Sequence, residues 1–262
     1  VITVSVFRFP SDTAASDAAR EIDAVDAARN NENVSVKIDN HPDAHSHWRP
    51  TVPSMASTSA HGPFVINIYT EQRSPDQHSL SDSIEKVLDK QIPRLDEFSP
   101  TPVDKMNDLV ADPDDLLTRV VMQYPAPIGT PDVNDAVVYT DRGYLLLAGA
   151  KSETSQRFEK TGVDAVAMLQ GSILARTRDD EAAKTYVDDI VAANLDRNSE
   201  STPPSGVPDV KCISLTNPSP LDEKPYNCIV RYRRFVVVVN SAQEVDVQQK
   251  AAAQYALLAN SQ

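Results

Sequence analysis

Glycine is scarce in this chain, with seven in 262 residues, and there are only two cysteines and one tryptophan. Loops that cradle phosphates are built from closely spaced glycines, and the sequence offers no such spacing. It has no G-x-S-x-G elbow, so the usual nucleophile turn of an α/β-hydrolase is missing. The acidic run D-P-D-D at Asp112–Asp115 lacks the glycine and the alternation of a calcium loop. No apolar run approaches the ~18 residues that a membrane-spanning helix needs. Runs such as Phe235–Val239 and Leu145–Ala148 have the length of strands. Cations are in deficit, 25 Lys and Arg against 38 Asp and Glu, for a net charge of −13. Such a chain repels phosphate backbones, and no basic stripe stands out, so a nucleic-acid partner is not expected. The same charge disfavours broad docking on anionic lipid and leaves room only for a local lipid pocket. Its simplest role is solubility.

What is present is enough for a sizeable core. A hydrophobic content of 40% over this length allows one large domain or two smaller ones. An internal repeat favours two. Val6–Asp26 aligns without a gap on Leu174–Asn194, with Arg8 on Arg176, Ser11 on Asp179, Ala14 and Ala15 on Ala182 and Ala183, and Ile22 on Ile190. Both stretches read as a strand, a polar N-cap and an amphipathic helix. Further on, N-V-S-V-K-I-D matches D-V-K-C-I-S-L, and G-P-F-V-I-N-I-Y matches R-R-F-V-V-V-V-N; a helix follows each. Pro93 is expected to bend the first of these helices or end its regular part.

Ahead of its repeat unit the second half adds more. Val137–Tyr139 and Tyr144–Ala148 flank D-R-G as a predicted hairpin, Ser152–Lys160 reads as a helix, and Q-G joins two more strands. From Tyr144 the predicted order is β-α-β-β-α-β, the ferredoxin-like order. The expected fold is therefore α+β: two ferredoxin-like half-repeats, with helices packed on antiparallel sheets. The first would span residues 1–102 and the second 136–262. A proline-rich linker, 103–135, would join them through one short helix in D-P-D-D-L-L-T-R-V-V. The chain opens inside a strand and shows no signal peptide, so a trimmed start is expected, and by the symmetry of the repeat about 35 residues would precede Val1.

Cys212 and Cys228 each sit in strand-like sequence, joined by a turn rich in proline. Antiparallel neighbours would bring them to disulfide distance, which implies an oxidising compartment. The alternative is a pair of buried free thiols. Three of the five histidines fall in D-N-H-P-D-A-H-S-H-W, Asp39–Trp48. Pro42 argues against a helix, so the stretch reads as a loop. His41, His45 and His47, with Asp39 as an oxygen ligand, could wrap a Zn²⁺ or Ni²⁺ ion, although the spacing matches no standard motif. The plainer reading is a polar connection with Trp48 covering its apolar base. Arg231 and Arg233, in V-R-Y-R-R-F, would share one strand face, where they could meet an anion or a lipid headgroup, or pair with the abundant acids. Gln248, Gln249 and Gln254 on the last helix could bond backbone at a helix–sheet junction or bind a polar ligand.

Four phrases then carry a resemblance: A-H-G-P-F-V, L-D-K-Q-I-P-R-L-D-E-F-S-P-T-P, R-T-R-D-D-E-A-A and Q-Q-K-A-A-A-Q-Y-A-L-L-A. Over nearly its whole length the chain resembles a family of uncharacterised secreted lipoproteins from mycobacteria and related actinobacteria, known as a domain of unknown function. The half-repeat is also broadly similar to the extracellular sensor domains of actinobacterial receptor kinases. The first resemblance implies an extracytoplasmic, cell-envelope location. It also implies a lipid anchor carried upstream of Val1, which would be the chain's only tie to a membrane. The paired cysteines fit it as a family trait. It transfers no catalytic residue. The expected function is non-enzymatic and needs no cofactor: binding or scaffolding in the envelope, with a lipid or a membrane protein as partner and a cleft between the repeats as the ligand seat. The rival is a metal-binding protein or metal-dependent enzyme built on Asp39, His41, His45 and His47.

Overall fold

The computed structural model describes residues 1–122 and 136–261. Pro125, Pro127 and Pro131 of the expected linker lie outside the described residues. The chain divides into two compact units, Val1–Met106 and Asn107–Gln262.

The first unit runs β1 (Ile2–Arg8), α1 (Asp12–Ala27), β2 (Val34–Ile38), β3 (His41–Trp48), β4 (Ser54–His61), β5 (Phe64–Glu71) and α2 (Gln77–Asp96). Its antiparallel sheet has the order β1-β5-β4-β3-β2. Helix α1 starts where Ser11 accepts the amide of Ala14 at 3.1 Å. Its small Ala15 and Ala19 are fully buried against Val65, which brings the helix axis close to one face of the sheet. Helix α2 starts at Asp76, which accepts from the amides of His78 and Ser79. Its stripe Leu80, Ile84, Leu88 and Leu95 packs with Ile66, Ile68, Met55 and Trp48 on the other face. Pro93 neither ends nor caps α2, which continues to Asp96.

The second unit adds β6 (Ala136–Thr140), α3 (Asp141–Leu145), α4 (Lys151–Thr161) and β7 (Ala165–Leu169). It then runs β8 (Ser172–Arg176), α5 (Asp180–Asn194), β9 (Asn198–Ser201), β10 (Val210–Leu215), β11 (Tyr226–Tyr232), β12 (Phe235–Ser241) and α6 (Glu244–Asn260). Its sheet order is β6-β7-β8-β12-β11-β10-β9. Asp179 caps α5 by accepting from Ala182 N at 2.8 Å, the counterpart of Ser11. Here too helices cover both faces. Phe158 of α4 and Ala183, Val187 and Val191 of α5 lie on one, while Val247, Ala251 and Leu258 of α6 lie on the other.

The repeat is real and longer than its sequence match. Strands β8-β12-β11-β10-β9 reproduce the order β1-β5-β4-β3-β2. The registers fix the equivalences residue by residue. Val6 faces Ile66 as Leu174 faces Val237, and two residues on, Ile68 faces Ser57 as Val239 faces Cys228. Ser57 then faces Ser46 as Cys228 faces Cys212. Each repeat therefore has five strands, not three, and β10 corresponds to the histidine stretch in β3. The predicted pairing of N-V-S-V-K-I-D with D-V-K-C-I-S-L is displaced by one strand.

Other expectations need correction. The ferredoxin-like arrangement is absent, because β6 and β7 lie side by side and antiparallel, where a split βαβ unit would leave space for a strand between them. Tyr144–Ala148 is not a strand. Thr140 caps D-R-G-Y-L as a short helix by accepting Gly143 N, and Tyr144 stacks on Phe158 with ring centroids 5.9 Å apart. The short linker helix is a 3₁₀ turn, Leu117–Arg119, set by Asp112 accepting from Leu116 N and Leu117 N. Leu116 and Val120 are buried in the core of the second unit, so this part of the linker is structural. The histidine stretch is strand β3 and not a loop. Pro42 is tolerated because β3 pairs with β4 only from His45 onward and the β2–β3 ladder is irregular beside it.

Candidate functional site: twin pockets at the helix ends

The last turn of α1 and the adjoining end of the sheet border a pocket of about 220 Å³, lined by Asp26, Arg29, Asn33, His47, Trp48 and Tyr69 among others. In the second unit a pocket of about 310 Å³ is lined by Ile190, Asn194, Arg197, Asn198, Ile213 and Ile229 among others. These are the same place in the two repeats. Counting from the N-caps Ser11 and Asp179, Asp26 corresponds to Asn194 and Arg29 to Arg197. In each, the arginine amide donates to the carbonyl of that residue, Asp26 or Asn194, at 3.2 Å. Asn33 and Asn198 each donate Nδ2 to a carbonyl of the helix end, Ala27 O and Asn194 O, both at 2.9 Å. On the sheet, His47 follows Ser46 as Ile213 follows Cys212.

The two floors differ in chemistry. In the first repeat His47 Nδ1 lies 2.7 Å from Asp23 Oδ1, and Nε2 lies 3.5 Å from Asp26 Oδ2. The bond to Asp23 raises the pKa of His47 above its ordinary 6.5; burial opposes the rise, and the charges of Asp23 and Asp26 add to it. The ring stands between two carboxylates, which favour its protonated form. Among the described residues the ring's polar contacts are these two carboxylates, and no hydroxyl or thiol hydrogen-bonds it. Trp48 turns its indole N–H to Val52 O at 3.0 Å, which leaves the ring faces for packing. In the second repeat Ile190, Ile213, Ile229 and Val238 make the floor apolar, while Arg197, Asn194, Asn198 and Asp222 keep a polar rim.

The sequence-derived candidates are dispersed. His41 bonds Asp89 of α2 at 2.9 Å and His47 bonds Asp23 of α1, so helices on opposite faces of the sheet claim the two rings. His45 stands half-buried opposite Thr58, and Asp39 is exposed in the β2–β3 turn. Among the described residues no group of three or more His, Cys, Asp or Glu side chains is placed to hold a metal ion. Arg231 is taken up by Asp180 and Asp209. Arg233 is not on the strand at all: it is a turn residue with φ +50°, its guanidinium 5.5 Å from the Tyr232 ring centroid. Gln249 is exposed, whereas Gln254 is fully buried and bonds backbone, accepting from Val121 N and donating to Arg119 O. Cys212 and Cys228 are cross-strand partners joined in a disulfide. The pocket arginines were within reach of sequence reading: extending the aligned repeat three residues past Asp26 and Asn194 places Arg29 on Arg197.

Residues 1–111 match the family model "domain of unknown function (DUF7373) N-terminal", and residues 116–261 match its C-terminal counterpart. The chain belongs to this family. No curated protein and no solved structure matches it. The two family models divide the chain within the segment between the two repeats, so the family's two parts are the two copies of one topology.

Proposed function

We propose that this DUF7373 chain is a non-enzymatic binding protein of the cell envelope, lipid-anchored in its native precursor, with its ligand seats at the helix ends of the two repeats. The observation that carries the reading is the recurrence of one pocket in both repeats, with its arginine and its carbonyl-capping asparagine retained while the floor changes. Packing alone does not require an exposed arginine at the same point twice. The apolar floor and polar rim of the second pocket suit the aliphatic part of an envelope lipid, and the charge triad of the first suits a polar group. The disulfide supports an oxidising compartment, the setting in which such bonds persist. A membrane protein is the other partner class in keeping with this setting.

Native mass spectrometry of protein secreted from an actinobacterial host tests the reading. A lipid-sized adduct on the wild type that is lost in Arg197→Ala and in Ile213→Asp is the expected result. A bare mass for the wild type, or an adduct indifferent to both substitutions, would overturn it.

A further inference from the structure

The helix-end pocket of the first repeat has a chemistry that selects among polar ligands. It wraps the end of the sheet: Trp48 faces Met55 on the α2 side, and Tyr69 faces Ala56, one position on, on the α1 side. Each charge along it has an opposite charge beside it. His47 stands between Asp23 and Asp26, Arg29 lies 3.4 Å from Asp26, and Arg49 lies 4.0 Å from Glu32. A site balanced in this way gives little preference to a free anion or a free cation. Its uncharged groups keep bonding capacity to spare. Asn30 Oδ1 accepts from Glu32 N, and Asn33 Nδ2 donates to Ala27 O. Among the described residues, Asn30 Nδ2, Asn33 Oδ1 and the Tyr69 hydroxyl have no protein partner. Tyr69 is 41% exposed, so its ring is open to a ligand.

The second repeat has a different set at this place. By the equivalences of the strand registers, Ile213 and Leu215 stand where His47 and Arg49 do. Ser214 and Asn240 stand where Trp48 and Tyr69 do. The aromatic pair therefore belongs to the first repeat only, and the aliphatic floor to the second only.

We infer that the first pocket seats a neutral sugar ring of the aldohexose class. The inference rests on the reading of the helix ends as ligand seats and names the ligand chemistry of one of them. A sugar hydroxyl both donates and accepts, and the pocket offers both partners. Asn30 Nδ2 and the Arg49 guanidinium donate, while Asn33 Oδ1 and the Asp26 carboxylate accept. A pyranose also has a C–H face, which rests on an aromatic ring as other apolar groups do. Tyr69 presents the exposed ring, and Trp48 and Met55 make the apolar surround. An acyl chain would leave the polar groups unpaired, and a phosphate would meet the Asp26 carboxylate.

Trp48, the only tryptophan, lines the pocket and reports on its occupation. The test is fluorescence titration of the whole chain with D-glucose, D-galactose and D-mannose. A saturable change with at least one of them, in the millimolar range and indifferent to added salt, is expected. Arg49→Ala and Tyr69→Ser should each weaken it roughly fivefold. Both side chains reach the surface, so an unchanged urea midpoint is expected of both variants. Arg197→Ala, which alters only the second pocket, should leave the sugar response as it is. Four results would overturn the inference: silence toward all three sugars, an equal response to glycerol, a response that survives both first-pocket substitutions, or saturation by sodium phosphate or dodecanoate in place of sugar. Silence toward sugar beside a retained lipid adduct overturns this inference alone. Sugar binding without the adduct overturns the lipid seat of the second repeat alone.

Discussion

The two repeats share one topology and solve the same interior positions with different chemistry. Where β10 and β11 carry the disulfide Cys212–Cys228, the equivalent positions of β3 and β4 carry Ser46 and Ser57, both buried and joined by a hydroxyl–hydroxyl hydrogen bond of 2.7 Å. Where the second repeat has Ile213, the first has His47 bonded to Asp23. A buried polar group is costly without a partner, and at both of these places the polar residue of the first repeat meets a second polar residue: Ser46 meets Ser57 on the next strand and His47 meets Asp23 on α1. The lesson is that the backbone pairing is common to both repeats, while the interior pairs at these two places are replaced together.

The disulfide should produce the largest difference. Cys212→Ser/Cys228→Ser recreates the serine pair in the second repeat and should cost it about 3 kcal/mol, from the entropy of the open loop. Ser46→Cys/Ser57→Cys should add a similar amount to the first once oxidised. Urea unfolding with and without reductant measures both. Trp48, the only tryptophan, reports on the first repeat, so its fluorescence should move with the second variant and not with the first.

Exchanging the pocket floors comes next. Ile213→His should destabilise the second repeat by about 3 kcal/mol, because Val191 and Asn194 stand where Asp23 and Asp26 do and leave the ring without a carboxylate. Adding Val191→Asp should recover part of that loss in the same urea titration.

Gln254 tests the difference in what lies on α2 and α6. Gln254→Ala should cost about 2 kcal/mol by orphaning Val121 N and Arg119 O in a buried place, whereas Val87→Ala at the half-buried equivalent should cost less than about 1 kcal/mol. Thermal melts of the two variants give the comparison.

The smallest effect depends on pH. The folded pKa of His47 is raised, so its bond to Asp23 contributes fully below the ordinary 6.5 and is lost as pH rises through the elevated folded value. His47→Gln should therefore lower first-repeat stability by roughly 1 kcal/mol at pH 5.5, and by progressively less as the medium becomes alkaline. Trp48 fluorescence against urea across that range is the readout. A penalty that grows toward alkaline pH would reverse the assignment.

Much of the architecture could be read in the sequence, because it rests on local signals. Ser11 and Asp179 announce helix starts, Leu80, Ile84 and Leu88 announce a buried helix face, and alternating apolar residues announce β5 and β12. The gapless match of Val6–Asp26 to Leu174–Asn194 announced the duplication. The α+β class followed from these, and the bridge Cys212–Cys228 was one of two readings that the strand-like contexts of the cysteines allowed. What misled was local chemistry that long-range pairing overrides. D-R-G resembles a hairpin turn, yet Thr140 as a cap and Phe158 as a stacking partner make it a helix. H-P-D-A-H-S-H-W resembles a polar loop, yet neighbouring strands make it β3. Only the tertiary structure decided the sheet order, the equivalence of Ser46 and Ser57 to the cysteines, and the carboxylates that His41 and His47 meet. Those depend on which residues stand opposite one another, and a one-residue or one-strand shift in register changes all of them while leaving every local propensity as it was.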